Sequence, residues 1–168
     1  MKRSICIILS IIFIITSCMA SGDILDSDYV ISPVSVEPAE FPANSAILVD
    51  LKTGAVLYEK NADEQVPPAS ITKIMTMLLV IEAIKSGKIS FDDIVTVSKH
   101  AASMGGSQIY LKEGEKMSVA ELYKAVSIAS ANDAAVALAE YVGGSEAVFV
   151  SMMNKRAAAL NMTNTVFK

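Results

Sequence analysis

The sequence predicts an α+β fold, a helical lobe packed beside an antiparallel sheet, and three observations carry that prediction. Two short apolar runs, Ala46-Ile47-Leu48-Val49 and Ala55-Val56-Leu57-Tyr58, flank a turn containing Gly54, as in a β-hairpin. A long apolar segment with helical spacing follows Pro67-Pro68 and ends at Gly87. Further helical segments fill most of the stretch from Ser118 to Leu160. Two strands ahead of a mainly helical block leave the sheet without its remaining strands, so the fold reads as incomplete, its C-terminal strands missing.

The chain opens with Lys2 and Arg3, followed by the apolar run Ile7 to Thr16 and by Cys18-Met19-Ala20 at a plausible cleavage point. That run is shorter than the roughly 20 apolar residues a bilayer requires. Residues 1–20 therefore read as a signal peptide for export, with a retained N-terminal anchor as the alternative. Ile15-Thr16-Ser17-Cys18 also resembles a lipidation motif at Cys18; cleavage after Ala20 is the favoured reading. Cys6 and Cys18 both lie in this leader, which excludes a disulfide framework or a cysteine-based zinc site from the mature domain. A formal net charge of −4, with no basic run interleaved with aromatics, argues against nucleic acid as a partner.

Residues 21–43 are polar and contain Pro33, Pro38 and Pro42, so they read as a linker into a domain spanning 44–168. Ala46–Val49 reads as a buried strand, Asp50–Gly54 as the turn and Ala55–Tyr58 as the returning strand. From Ser70 the apolar residues Ile71, Ile74, Met75, Leu78, Leu79 and Ile81 surround the axis on nearly all sides, which predicts a buried helix. Ile94–Val97 reads as a short strand. Ser118 and Glu121 have the spacing of a capping box and open a helix to about Ile128. Two more helices are predicted, from Asp133 to Tyr141 before Gly143-Gly144 and from about Ser145 to Leu160.

Chemistry is suggested first by Ser70-Ile71-Thr72-Lys73 at the start of the apolar helix. Residues i and i+3 share a helix face, so the Lys73 amine can reach the Ser70 hydroxyl. A serine is a weak nucleophile until a base takes its proton, and a neutral lysine can serve. Burial and the positive end of the helix dipole both disfavour the Lys73 cation. The same helix end aims backbone N–H groups at a developing oxyanion. The bland alternative is a serine cap with Lys73 reaching to solvent. The second constellation is Ser130-Ala131-Asn132, between two predicted helices. There a hydroxyl could relay a proton, and an asparagine offers a donor and an acceptor for a peptide amide. A plain helix–helix turn capped by Asn132 fits those three residues at least as well.

Pro67-Pro68-Ala69-Ser70-Ile71-Thr72-Lys73-Ile74-Met75-Thr76, together with Ser130-Ala131-Asn132-Asp133-Ala134-Ala135, resembles the low-molecular-mass penicillin-binding proteins, the serine-type D-Ala-D-Ala carboxypeptidases. The similarity extends over roughly Ser45 to Phe167 and takes in Thr53-Gly54, Gly105-Gly106-Ser107, Gly143-Gly144 and Met153-Asn154. It implies a β-lactamase/transpeptidase-like fold and an exported enzyme on the extracytoplasmic face of a bacterial cell envelope. It implies removal of the terminal D-Ala from peptidoglycan stem peptides through an acyl-enzyme on Ser70. Lys73 is then the base, Ser130 the proton relay and Asn132 the substrate-holding residue. β-Lactams would acylate Ser70, membrane association is possible, and neither metal nor organic cofactor is implied.

One departure stands out. The family carries a third motif, Lys-Thr-Gly, on a strand well downstream of the nucleophile. Here Lys52-Thr53-Gly54 spells it, but in the N-terminal hairpin. The chain is accordingly read as an N-terminal fragment, expected to hydrolyse no D-Ala-D-Ala peptide measurably by itself, since losing one oxyanion donor costs about 10²–10³ in rate. Two other functions compete. A class A β-lactamase shares both motifs but needs a glutamate roughly 35 residues beyond the triplet, and Met162–Lys168 holds no acid. A non-catalytic penicillin-binding sensor would keep the scaffold without turnover.

Other residues attract no catalytic role. His100, the single histidine, reads as a surface residue near a helix start, and the nine methionines as core filling. Lys112–Lys116 reads as a solvated mixed-charge loop, and Gly105-Gly106-Ser107 as either a plain turn or part of a cleft.

Overall fold

A computed structural model describes residues 42–168. The leader, both cysteines and nearly all of the 21–43 linker lie outside the described residues. The chain divides into two compact units with the boundary between Ala62 and Asp63.

In the first unit, β1 (Ala46–Val49) and β2 (Val56–Lys60) form the predicted antiparallel hairpin, with Ala46 opposite Lys60 and Leu48 opposite Tyr58. The Asp50 side chain builds the turn, accepting hydrogen bonds from the Thr53 amide (2.7 Å) and hydroxyl (2.5 Å). Gly54 takes φ +74°, a left-handed conformation that glycine adopts without steric penalty. Lys52-Thr53-Gly54 is therefore a turn and not a strand. The expected burial of β1 is not seen: Ile47 and Leu48 are 57% and 56% exposed. A two-stranded ribbon has no inner face to hide, and its apolar side chains need further strands or a covering layer.

The second unit is built around helices. Ala69–Thr72 forms one 3₁₀ turn that leads into α1 (Lys73–Lys85). Ser70 thus lies just ahead of the α-helix rather than inside it. Pro67-Pro68 restrict the approach, and Ala69 takes φ +48° to redirect the chain. Met75, Thr76, Leu79, Val80 and Ala83 of α1 are buried, whereas Ile71 and Ile74 are exposed, so the helix is less enclosed than its composition predicts. Next come β3 (Ile94–Thr96), α2 (Lys99–Ala102) and β4 (Lys116–Ser118), with β3 and β4 paired antiparallel and Val95 opposite Met117. The pairing continues beyond the strands, where the Val97 amide donates to the Glu115 carbonyl and the Gly114 amide to the Val97 carbonyl. Residues 112–115 are the expected exposed loop, a turn closed by the Glu115 amide on the Lys112 carbonyl, and only Lys116 of the charged stretch belongs to β4.

Three helices complete the unit: α3 (Val119–Ala129), α4 (Asn132–Gly143) and α5 (Glu146–Ala159). The Ser118–Glu121 capping box forms as predicted, each side chain bonding the other's backbone amide. Ser145 caps α5 through the Val148 amide. Central to the core is α4, which packs against α1, α2, α3 and α5. Its Ala134, Ala137 and Leu138 are buried together with Leu122 of α3, Val80 of α1 and Phe149 of α5. The small alanines let neighbouring helices approach closely, and Arg156 of α5 pairs with Glu82 of α1 at 2.7 Å. Among the described residues no single helix is long and apolar enough to cross a membrane.

Candidate active site

The turn at Ala69–Thr72 places Ser70 three residues before α1, and three residues per 3₁₀ turn stack positions i and i+3. Lys73 Nζ consequently lies 3.4 Å from Ser70 Oγ. The predicted meeting of hydroxyl and amine is present, formed by a tighter turn than the α-helix the sequence suggests.

The Ser130-Ala131-Asn132 segment supplies the other side. Ser130 ends α3 in the left-handed region at φ +53°, strained for a residue with a β-carbon, and its Oγ accepts from Lys73 Nζ at 3.1 Å. Ala131 is fully buried and anchors the connection. Asn132 opens α4, and its Oδ1 lies 2.6 Å from Lys73 Nζ. Three of the four sequence-predicted site residues thus converge on the amine of the fourth. An ammonium has three donors and no acceptor, and it finds three oxygens here. Partial burial nevertheless pushes Lys73 below its ordinary value of 10.5, toward the neutral form a base requires.

Asn132 is held in one orientation. Its Nδ2 donates to the Gly105 carbonyl at 2.7 Å, its backbone amide donates to the Ser107 carbonyl at 2.7 Å, and Oδ1 faces a donor. Reversing the amide would set acceptor against acceptor and donor against donor. With Lys73 on one lone pair of Oδ1 and Gly105 on one N–H, the side chain keeps a second N–H and a second lone pair. Gly106 makes this approach possible: a β-carbon there would sit 2.8 Å from Asn132 Nδ2, and its φ is +78°. Gly105-Gly106-Ser107 is therefore a bend that holds Asn132 from behind through the Gly105 and Ser107 carbonyls.

A cavity of about 440 Å³ opens beside these groups, with Ser70, Lys73 and Asn132 among its lining residues and Phe149, Met153 and Phe167 supplying apolar wall. Among the described residues no group of three or more His, Cys, Asp or Glu could hold a metal ion. His100 lies in α2, half exposed, and pairs with Glu146 at 2.7 Å. One residue escaped the sequence reading. Asp133, fully buried beside Asn132, accepts backbone hydrogen bonds from the 109–111 segment. An acid in the first turn of a helix otherwise buried as Ala, Val and Leu was the available signal.

A family model of D-alanyl-D-alanine carboxypeptidases matches residues 32–168. The chain belongs to the D-alanyl-D-alanine carboxypeptidase family. It is 57% identical over 126 residues to the D-alanyl-D-alanine carboxypeptidase DacF of Bacillus subtilis, covering 75% of this chain and 32% of that protein. Against DacC of Escherichia coli the identity is 47% over 140 residues, covering 80% and 35%. Among solved structures, penicillin-binding protein 5 from Haemophilus influenzae matches with a TM-score of 0.76 and 38% identity, covering 79% of this chain and 40% of that one. The ampicillin-bound penicillin-binding protein D2 from Listeria monocytogenes matches with a TM-score of 0.63 and 35% identity, covering 70% and 46%. The family's α+β fold is the one the sequence predicts. The chain spans about a third of the length of these curated relatives.

Proposed function

We propose that the protein is a serine D-alanyl-D-alanine carboxypeptidase acting on peptidoglycan stem peptides at the extracytoplasmic face of the cell envelope. The carrying observation is that Lys73 Nζ lies within reach of Ser70, Ser130 and Asn132 at once. Neutral Lys73 takes the Ser70 proton as Oγ attacks the carbonyl of the penultimate D-Ala. The tetrahedral oxyanion collapses, the C–N bond to terminal D-Ala breaks, and the leaving nitrogen takes a proton from Lys73 through Ser130. The free Nδ2–H of Asn132 holds a carbonyl of the bound peptide. Water then attacks the Ser70 ester and releases the shortened peptide. A β-lactam presents a strained amide in place of the D-Ala–D-Ala bond and leaves Ser70 acylated.

Labelling with a fluorescent penicillin tests this assignment. The protein is expected to take up one label that is lost in Ser70→Ala, and to release D-Ala from a D-Ala-D-Ala-terminated peptide. Labelling that persists in the Ser70→Ala protein would remove Ser70 from the mechanism. Labelling without D-Ala release would make the protein a penicillin binder and not a carboxypeptidase.

A further inference from the structure

We propose that Asp133 is a positioning residue for acylation: by clamping the 109–111 segment it sets the Gly105 carbonyl that orients Asn132 toward Lys73. The inference rests on the reading of Ser70, Lys73 and Asn132 as the acylation machinery.

Asp133 is wholly buried in the first turn of α4, where its neighbours Ala134, Val136 and Ala137 are also buried and apolar. A carboxyl group in that setting needs hydrogen-bond partners, and backbone amides supply them. Oδ2 accepts from the Leu111 amide at 3.0 Å, both oxygens lie 3.2 Å from the Ile109 nitrogen, and Oδ1 accepts from the Ala134 amide at 2.9 Å. The preceding residue holds the same segment through the opposite kind of group. Asn132 donates to the carbonyls of Gly105 and Ser107. Two consecutive helix residues thus bind alternate positions of one segment, Asn132 at 105 and 107 and Asp133 at 109 and 111.

The backbone between those last two positions is strained. Tyr110 takes φ +62° and is 77% exposed, so no packing of its side chain accounts for the conformation. The left-handed turn is what lets the Ile109 and Leu111 amides both face Asp133. Released from the acid, Tyr110 would relax to negative φ and carry the 105–107 carbonyls with it. Asn132 would then lose the acceptor that fixes its amide, and Lys73 the oxygen at 2.6 Å.

Asp133→Asn tests the clamp, because an amide nitrogen would face a backbone donor where an oxygen now accepts. The acylation rate constant with fluorescent penicillin is expected to fall about tenfold or more. The rising limb of its pH profile is expected to move to lower pH, since the Asn132 oxygen favours the charged amine. A variant that is merely less folded would lower the rate at every pH without moving the limb, and an unmoved limb overturns the proposal. Amide exchange in the unaltered protein provides a measurement independent of any variant. The Ile109 and Leu111 amides are expected to exchange as slowly as that of Leu138 in the core, and rapid exchange overturns the clamp. Failure of the unaltered protein to label at Ser70 would instead defeat the functional reading, leaving the exchange result to stand by itself.

Discussion

Asn132 Oδ1 lies 2.6 Å from Lys73 Nζ, closer than either serine hydroxyl, at 3.1 Å for Ser130 and 3.4 Å for Ser70. Asn132 therefore holds the amine between two hydroxyls. Replacing it with alanine removes that acceptor and the spare N–H together. Asn132→Ala is expected to slow penicillin acylation of Ser70 by about 10²-fold, the scale for losing one oriented polar group. The second-order labelling rate measures it, and a loss below about twofold would separate Asn132 from the reaction.

The Ser70–Lys73 pair was legible because it depends on local geometry alone: three positions apart is one turn in either helix type. Ser118–Glu121 was legible for the same reason. Ser130-Ala131-Asn132 was legible as a polar connection between two helices, but its approach to Lys73 came only through resemblance, since no local rule brings position 130 to position 73. Asp133 went unread because its partners, the amides of Ile109 and Leu111, belong to backbone and leave no trace in side-chain pattern. β4 was missed because Lys116 and its charged neighbours mask a strand whose evidence is pairing with Ile94–Thr96. The exposure of Ile47 and Leu48 was equally unreadable, because an apolar run records a tendency to be covered and not the cover itself.

Partial burial holds Lys73 below 10.5, so its neutral form becomes abundant at lower pH than in free lysine. In the proposed mechanism acylation uses that neutral form. The labelling rate is expected to rise with pH, with the midpoint of the rise below 10.5. A rate independent of pH across the range where the protein stays folded would exclude Lys73 as the base.

His100 offers a different pH dependence, in stability. Its hydrogen bond to Glu146 raises it above 6.5, and the charges of Glu146 and Glu140 add to the effect. A raised value means the folded state binds the proton more tightly, so the pair stabilises fully below 6.5 and ceases to do so as pH rises through the folded value. His100→Gln is expected to melt about a degree below the parent near pH ~6 and level with it near pH ~9, the pair being exposed and screened. A gap that widens with pH would contradict the pairing.

The capping box at the start of α3 gives a prediction in stability alone. Ser118→Ala removes the acceptor for the Glu121 amide and the hydroxyl donor to the Glu121 carboxylate, which keeps only its bond from the backbone amide of residue 118. The expected cost is about 1 kcal/mol. Urea unfolding should show a lowered midpoint with an unchanged slope, because the same surface is buried in both proteins.

Adjacent glycines at 105 and 106 are expected to behave oppositely. A β-carbon on Gly105 meets nothing within 4 Å, whereas one on Gly106 would sit 2.8 Å from Asn132 Nδ2 in a backbone already at φ +78°. Gly105→Ala should therefore fold and label like the parent. Gly106→Ala faces two penalties. The left-handed backbone costs about 1 kcal/mol for alanine, and the contact cannot be relieved by the backbone without disturbing the Gly105 carbonyl. The cheaper response is rotation of the Asn132 amide, which is a flexible side-chain end. That rotation breaks the hydrogen bond to Gly105 and withdraws Oδ1 from Lys73. The labelling rate of Gly106→Ala should then fall by more than its loss of melting temperature explains, approaching the Asn132→Ala rate. Equal labelling by Gly105→Ala and Gly106→Ala would mean that the Gly106–Asn132 contact has no part in holding the amine.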